Sequence, residues 1–490
     1  MSIGSEMRED EDGLSSIALE KIDPILAIPF EIANSAPCIG LRWKGDVLVV
    51  GAPELVTEEL KPSLAKLGFE IELIEMPESE VRDILSLVLT ATGESILEDF
   101  ATISGDAPIS LLVDQLIERA VTNRASDLHI EPFENIINVR MRVDGRLRLL
   151  AELPTNLGAA ISSRIKVLAQ LNIVERRRPQ DGQFTSHVGD RRIDIRVATA
   201  STIFGEKIVM RLHDERRPLV NLLQLGMKQA QLEPFSRSIN AVNGLILAAG
   251  PTGSGKTTTL HSALRAASAP HKNVTTIEDP VEYVVPGLNQ IPVLEASGGG
   301  FAVQLRAILR QDPDVILVGE TRDAETARIS VQAALTGHLV LSSIHATDAV
   351  GAVYRLMQMD IEPYLVASAL KTVVSQRLVR RNCKYCLEEY TPTKSEQLIL
   401  ESFKSEVKVL ARGMGCTYCG GSGYRDRIAA YQLLDVTENL AELISSRPDP
   451  VVFRKMALQE GMTSIATQAM ELAVEGVTTL AEALELKEYD

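Results

Sequence analysis

Several absences narrow the field before any motif is considered. No stretch of the 490 residues approaches the ~20 consecutive apolar residues that a membrane-spanning helix needs. The first dozen residues hold Glu6, Glu9, Asp10, Glu11 and Asp12 without an apolar segment. No secretory leader is therefore expected, and the expected compartment is the cytosol. Positive charge is in deficit: 50 Lys and Arg face 66 Asp and Glu, for a net charge of −16. A globally basic nucleic-acid coat is excluded, and with only 4% aromatic residues no nucleic-acid partner is expected. Cysteine is scarce too, with Cys38, Cys383, Cys386, Cys416 and Cys419 making five. What is present is a 45% hydrophobic content, enough for large cores, and a length that suggests about three domains.

Four of the cysteines form two C-x2-C pairs separated by 29 residues. In a cytosolic chain such pairs point to a metal knuckle rather than to disulfides. Cys38 stands apart and reads as a small buried hydrophobe.

Along the chain, residues 1–13 read as a solvated acidic tail. Residues 14–97 mix short apolar stretches (Ile25–Ile28, Leu41–Val50, Ile71–Ile74) with helical spacing at Val56–Leu67 and Val81–Leu89, a small α+β module. Residues 98–108 fall in a linker rich in Gly, Ser, Asp and Pro. A second module, 109–220, opens on the amphipathic helix ISLLVDQLIERAV. Hairpins are predicted at Asp144-Gly145 and Gly189-Asp190. Val139, Met141, Val143, Ile193, Ile195 and Val197 alternate with polar residues, so one sheet face carries several arginines. The third module, 221–490, alternates apolar strands (Leu245–Ala249, Val274–Ile277, Val315–Val318, Leu339–Ser343) with helices. That pattern predicts an α/β fold with a mostly parallel sheet. From Leu433 onward the text reads as helices.

The chemistry begins at Gly250-Pro251-Thr252-Gly253-Ser254-Gly255-Lys256-Thr257, which fits G-x4-G-K-[ST] and continues into Thr258. An apolar strand precedes it and a helical stretch follows. The glycines let successive N–H groups converge on one anion, and the helix N-terminus adds its positive end. Lys256 then reaches the β/γ-phosphates and the Thr257 hydroxyl holds Mg2+. No N-K-x-D guanine-reading motif follows. Glu320, just beyond an apolar strand, is the expected general base, with Glu278 and Asp279 as Mg2+-shell or water-positioning acids. His345 ends the next strand, where it could sense the γ-phosphate, although a lone histidine is more often a satisfied structural residue.

The boxes SDLHIEP (Ser126–Pro132), RPQDG (Arg178–Gly182), GPTGSGKTTT, TIEDPVEY, LRAILRQDPDVILVGETRD (Leu305–Asp323) and TGHLVLSSIHATDA occur in this order. They resemble the secretion ATPase family, the motors of type II secretion and type IV pilus assembly. The resemblance implies a PAS-like α+β middle domain, a RecA-like P-loop ATPase domain, and a homo-hexamer with ATP between those two domains. It implies Arg196 or Arg211 as an arginine finger supplied to a neighbouring subunit. It also implies a zinc-binding insertion, 380–425, in which Cys383, Cys386, Cys416 and Cys419 hold one structural Zn2+. The short N-terminal module favours a type II secretion ATPase over a pilus-assembly ATPase. It would dock on the cytoplasmic part of the inner-membrane L component, giving peripheral membrane attachment and action on the platform protein. Four departures from the family pattern stand out: Gln183 after the DG, His345-Ala346-Thr347, Gly298-Gly299-Gly300-Phe301, and Asp426 with Ala429 where glycines are usual.

Overall fold

The computed structural model describes residues 23–91 (apart from 25, 26, 30, 31, 34 and 35), 109–214, 220–293 and 300–487 (apart from 404 and 406). The predicted acidic tail and linker lie outside them.

The N-terminal module has three strands, β1 (Ile39–Lys44), β2 (Val47–Ala52) and β3 (Glu70–Glu75), in the order β1-β2-β3. β1 and β2 are antiparallel, so the apolar text Leu41–Val50 is a hairpin turning at Gly45, whose φ is +61°. β2 and β3 are parallel and are connected through the Thr57–Leu64 helix. Cys38 is fully buried with Leu48, Val50, Leu60 and Leu64. Burial pushes its thiol up to about 12, so it serves as a core side chain rather than a reactive one.

The middle module is an antiparallel six-stranded sheet. Its strands are β4 (Asp127–Pro132), β5 (Ile137–Val143), β6 (Arg146–Leu153), β7 (Gln180–Val188), β8 (Arg191–Thr202) and β9 (Gly205–Asp214), ordered β6-β5-β4-β9-β8-β7. Asp144 and Gly145 turn the β5–β6 hairpin at φ +49° and +87°. Leu112, Leu116 and Ile117 of the Ile109–Thr122 helix pack on Leu128, Val139, Ile195 and Met210. The alternation predicted for β5 and β8 holds, with the arginines on the opposite face. Register aligns Gln183, Arg196, Arg211, Asp127 and Arg142 as one row across five strands.

On that face Glu131 is buried and bonded by Arg140 (2.6 Å) and Lys207 (2.7 Å). Burial pushes its carboxyl up, but the two cations outweigh this and bring it to about 2. A depressed carboxylate stabilises the fold above its unfolded value, and that stability is lost as pH falls toward 2. Glu131→Gln is expected to cost about 1–2 kcal/mol at pH 7, both cations being partly solvated. In urea titrations the gap between the two proteins should narrow at pH 3; an equal gap at both pH values would refute the assignment.

The third module is a three-layer α/β domain. Its strands are β10 (Gly244–Ala249), β11 (Val274–Glu278), β12 (Asn289–Pro292), β13 (Val315–Val318), β14 (Leu339–Ile344), β15 (Leu370–Asn382) and β18 (Tyr424–Asp435). They are ordered β12-β11-β13-β14-β10-β15-β18, all parallel except β18. Central strands buried on both faces explain the unbroken apolar runs in the sequence. One face packs on the Gln229–Ile239 and Lys256–Ala267 helices, the other on the Phe301–Ile308, Ala324–Leu335 and Ala349–Gln358 helices. Leu433 does not open the helical tail as predicted. It is paired in β18 with Val374, and the helices begin at Glu438. Between β15 and β18 lie a small hairpin, β16 (Leu387–Tyr390) and β17 (Leu410–Gly413), and the Lys394–Ser402 helix.

Candidate functional site

The phosphate loop joins the fully buried β10 to the helix that starts at Lys256. Gly250, Gly253 and Gly255 have φ of +146°, +79° and +91°, conformations that side chains resist. Close approach adds a second reason at two of them. A Cβ on Gly250 would lie 2.6 Å from Ser254 Oγ and 2.9 Å from the Gln376 carbonyl; one on Gly255 would lie 2.9 Å from Gln376 Nε2. Gln376 Nε2 also donates to the Ser254 carbonyl at 2.7 Å. The loop is thus held from below by β15, the neighbour of β10. Pro251, Thr252 and Gly253 are exposed, whereas Ser254 is buried, and Thr257 and Thr258 are half-buried in the first helical turn.

Lys256 Nζ donates to the carbonyls of Gly250 (2.8 Å) and Pro251 (3.0 Å). Burial lowers its ammonium below the usual lysine range; the Glu320 carboxylate opposes that shift and the Arg377 guanidinium adds to it. Arg377 itself is buried, donating to the Gln376 carbonyl (3.0 Å) and the Thr347 carbonyl (2.6 Å). It therefore links the floor of the phosphate loop to the loop that carries His345.

Glu320 follows β13 through Gly319, whose N–H donates to the Ile277 carbonyl at 2.8 Å. Its carboxylate meets His345 Nε2 at 2.7 Å and Arg322 Nε at 2.8 Å. Arg322 also reaches Asp279 at 3.8 Å. From β14, Ser343 donates to the Gly319 carbonyl (2.7 Å) and Ser342 pairs with Thr321 (2.8 Å). Glu278 ends β11 and is buried. Its oxygens accept from Thr276 (2.6 Å) and Gln290 (3.0 Å), and its remaining partner is His261 (3.0 Å). Burial raises its pKa, but these three partners outweigh it and leave the carboxyl below the usual range. Lys256, Glu320 and His345 thus share the C-terminal edge of one parallel sheet, where open α/β sheets bind ligands.

A cavity of about 790 Å³ lies between the middle module and the phosphate-loop helix; Lys256, Glu320 and His345 stand outside its lining. Ser126, Arg124 and Asp144 line one side; Gly255, Thr258 and Tyr283 line the other. Asp426 closes the rim with φ +65°, a left-handed conformation that glycine adopts more readily. Its carboxylate bonds Arg124, which also reaches Asp144 at 3.5 Å.

Arg196 and Arg211 face each other across β8 and β9. Both are exposed, and neither lines this cavity. Arg211 meets Asp127 at 3.3 Å. Gln183 sits directly opposite Arg196. Sequence reading misses Gln376, Arg377 and His261. Gln376 and Arg377 sit in a strand far along the chain from the phosphate loop, and only sheet order brings them beside it. His261, near the phosphate loop in sequence, pairs with a glutamate on another strand, and spacing gives no sign of that.

The four thiols Cys383, Cys386, Cys416 and Cys419 are buried, with all four sulfurs within 4.8 Å of one another. The closest separations are 3.7, 3.9 and 3.7 Å. A tetrahedron with Zn–S bonds of about 2.3 Å has edges of about 3.8 Å, so the donor set fits one zinc ion. Backbone N–H groups of Gly415, Cys416 and Gly423 point at the sulfurs at 3.2–3.3 Å, as anionic thiolates require.

Residues 102–485 match the family described as type II/IV secretion system protein. The type II secretion system ATPase E of Vibrio cholerae is 42% identical over 486 residues, covering 94% of this chain and 96% of that one. The type IV pilus assembly ATPase PilB of Thermus thermophilus is also 42% identical, covering 94% of this chain and 54% of that one. The fold is similar to that of the Legionella pneumophila ATPase DotB, with a TM-score of 0.58 at 19% identity over 80% of this chain and 99% of that one. With its phosphate loop, acidic sheet edge and four-cysteine cluster, the chain belongs to the type II/IV secretion system protein family and is one of its ATP-hydrolysing members.

Proposed function

We propose that the chain is the ATP-driven motor of a type II secretion system, working as a ring of six subunits. The observation that carries this is the split site. Lys256, Glu320 and His345 meet at one sheet edge, while Arg196 and Arg211 are exposed side by side on the sheet of the middle module. ATP lies in the cavity between the middle and ATPase modules with its phosphates on the Gly250–Thr258 loop. Thr257 would hold Mg2+, with Glu278 and Asp279 as supporting acids, and the ion would supply charge neutralisation to the phosphates. Lys256 leaves its own carbonyls for the β/γ-phosphates. Glu320 orients water in line with the γ-phosphorus and takes its proton, with His345 holding the carboxylate. A neighbour's Arg196 or Arg211 meets the charge that develops on the γ-phosphoryl oxygens. Supplied from outside, such a cation is worth roughly 10³–10⁵ in rate, which ties hydrolysis to ring geometry.

Zinc held by the four cysteines is structural, since four thiolates leave no open position. No helix among the described residues is long and apolar enough to cross a membrane. In this reading membrane attachment comes through partners: the L component on the N-terminal module, and the inner-membrane platform. The match across 96% of the Vibrio cholerae ATPase E favours type II secretion. The equal 42% identity to the Thermus PilB supports a second reading, pilus assembly. Co-purification with a secretion L component rather than a pilus platform would decide between them.

A mixing experiment tests the split site. Arg196→Ala/Arg211→Ala chains and Glu320→Gln chains should each be nearly inactive alone. Mixed, they should recover turnover at junctions pairing an intact Glu320 with an intact arginine pair. Inert mixtures, together with a wild-type rate per subunit that is full at monomeric dilution, would refute it.

A further inference from the structure

The residues between the paired cysteines have a use that zinc binding alone does not explain. Lys384 and Tyr385 separate the first pair, and Thr417 and Tyr418 separate the second. All four touch the N-terminal module. Thr417 Oγ1 lies within hydrogen-bond reach of the β1 carbonyls of Gly40 (3.0 Å) and Leu41 (3.2 Å). Tyr385 Oη donates to Glu80 at 2.6 Å, and Lys384 meets the same carboxylate at 3.1 Å. Tyr418 stacks edge-on against Tyr385 and joins the four cysteines in one apolar cluster with Ile39, Leu41, Met76, Val81 and Ile84. Arg42 closes the rim on Glu388 at 2.5 Å.

We propose that the four-cysteine knuckle is the docking seat of the N-terminal module, and that zinc builds this seat. One ion fixes both cysteine pairs, and so presents Lys384, Tyr385, Thr417 and Tyr418 as a single surface. Without it the two pairs sit on separate loops, one after β15 and one before β18. The seat adjoins the catalytic centre through covalent structure: Cys383 directly follows β15, the strand whose Gln376 holds the phosphate loop. A partner that grips the N-terminal module therefore pulls on the end of that strand. The inference rests on the zinc reading above.

Because docking favours the metal-loaded knuckle, the loaded knuckle must favour docking by the same factor. The test uses the full chain and the rate of zinc release to a chromogenic chelator. Arg42→Glu/Glu80→Lys, two changes on the module that leave all four thiols in place, should speed release about tenfold by unseating it. Adding Glu388→Arg and Lys384→Glu should return release toward the wild-type rate. Amide exchange at Ile39–Lys44 should rise in the double variant and fall back in the quadruple one. The Thr57–Leu64 helix, on the module's other core, should stay protected throughout. Zinc present with release indifferent to the double variant, or left fast in the quadruple one, overturns the seat. A purified chain without zinc would instead overturn the metal reading on which it stands.

Discussion

Glu320→Gln should lower steady-state ATP turnover by about 10²–10⁴-fold, the range for losing a positioned base. The amide keeps the size of the carboxylate but cannot take a proton from water. It also loses the charge that His345 and Arg322 now meet at 2.7 and 2.8 Å. Binding of a non-hydrolysable ATP analogue should remain, because in the proposed site the loop amides and Lys256, not Glu320, hold the phosphates. Lys256→Gln should behave in the opposite way, losing binding first. Single-turnover rates with a fluorescent ATP separate the two. Turnover above a tenth of wild type in Glu320→Gln would remove the base from Glu320 and hand the task to another group at the sheet edge.

Much of this site is legible in the order of residues alone. The glycine spacing fixes a curled loop, and the apolar stretch before it fixes the strand, so local chemistry suffices to place Lys256 and Thr257. Glu320 is legible for the same reason, as an acid closing a four-residue buried strand. The strands feeding the site stand out because parallel sheets bury both faces and write themselves as apolar runs. What is not legible depends on sheet order. Nothing in the spacing says that β15 lies beside β10, and hence that Gln376 and Arg377 support the phosphate loop. Glu278 shows the reverse limit: its place at a strand end is legible, but that its oxygens are engaged by Thr276, Gln290 and His261 is a tertiary fact. Leu433 reads as helix but folds as strand, because β18, at the sheet's edge and antiparallel to its neighbour, abuts a helical tail without a turn residue between Leu433 and Asp435.

The second large effect is expected from the metal knuckle. Cys419→Ser should abolish zinc retention and cost more than about 4 kcal/mol of stability in the knuckle, because for such small units metal binding is much of the folding energy. Cys419 is the demanding choice: its sulfur accepts from the backbone of Cys416 and Gly423, and serine's shorter, harder oxygen meets neither those donors nor the ion as well. The ATPase core has its own apolar layers on both faces of the sheet and does not depend on the knuckle for burial. Urea unfolding followed by far-UV circular dichroism should therefore split into two steps, the first also reached by adding a high-affinity zinc chelator to the wild type. The ATP rate should fall in that first step. β15 and β18 are paired along most of their length, from Thr372 with Asp435 to Asn382 with Tyr424, and loss of the metal should fray them from the knuckle end. Gln376 lies mid-strand, so the phosphate loop loses its support as the fraying travels inward. A single unshifted transition in Cys419→Ser, with full ATPase activity, would mean that the four thiols carry no structural metal.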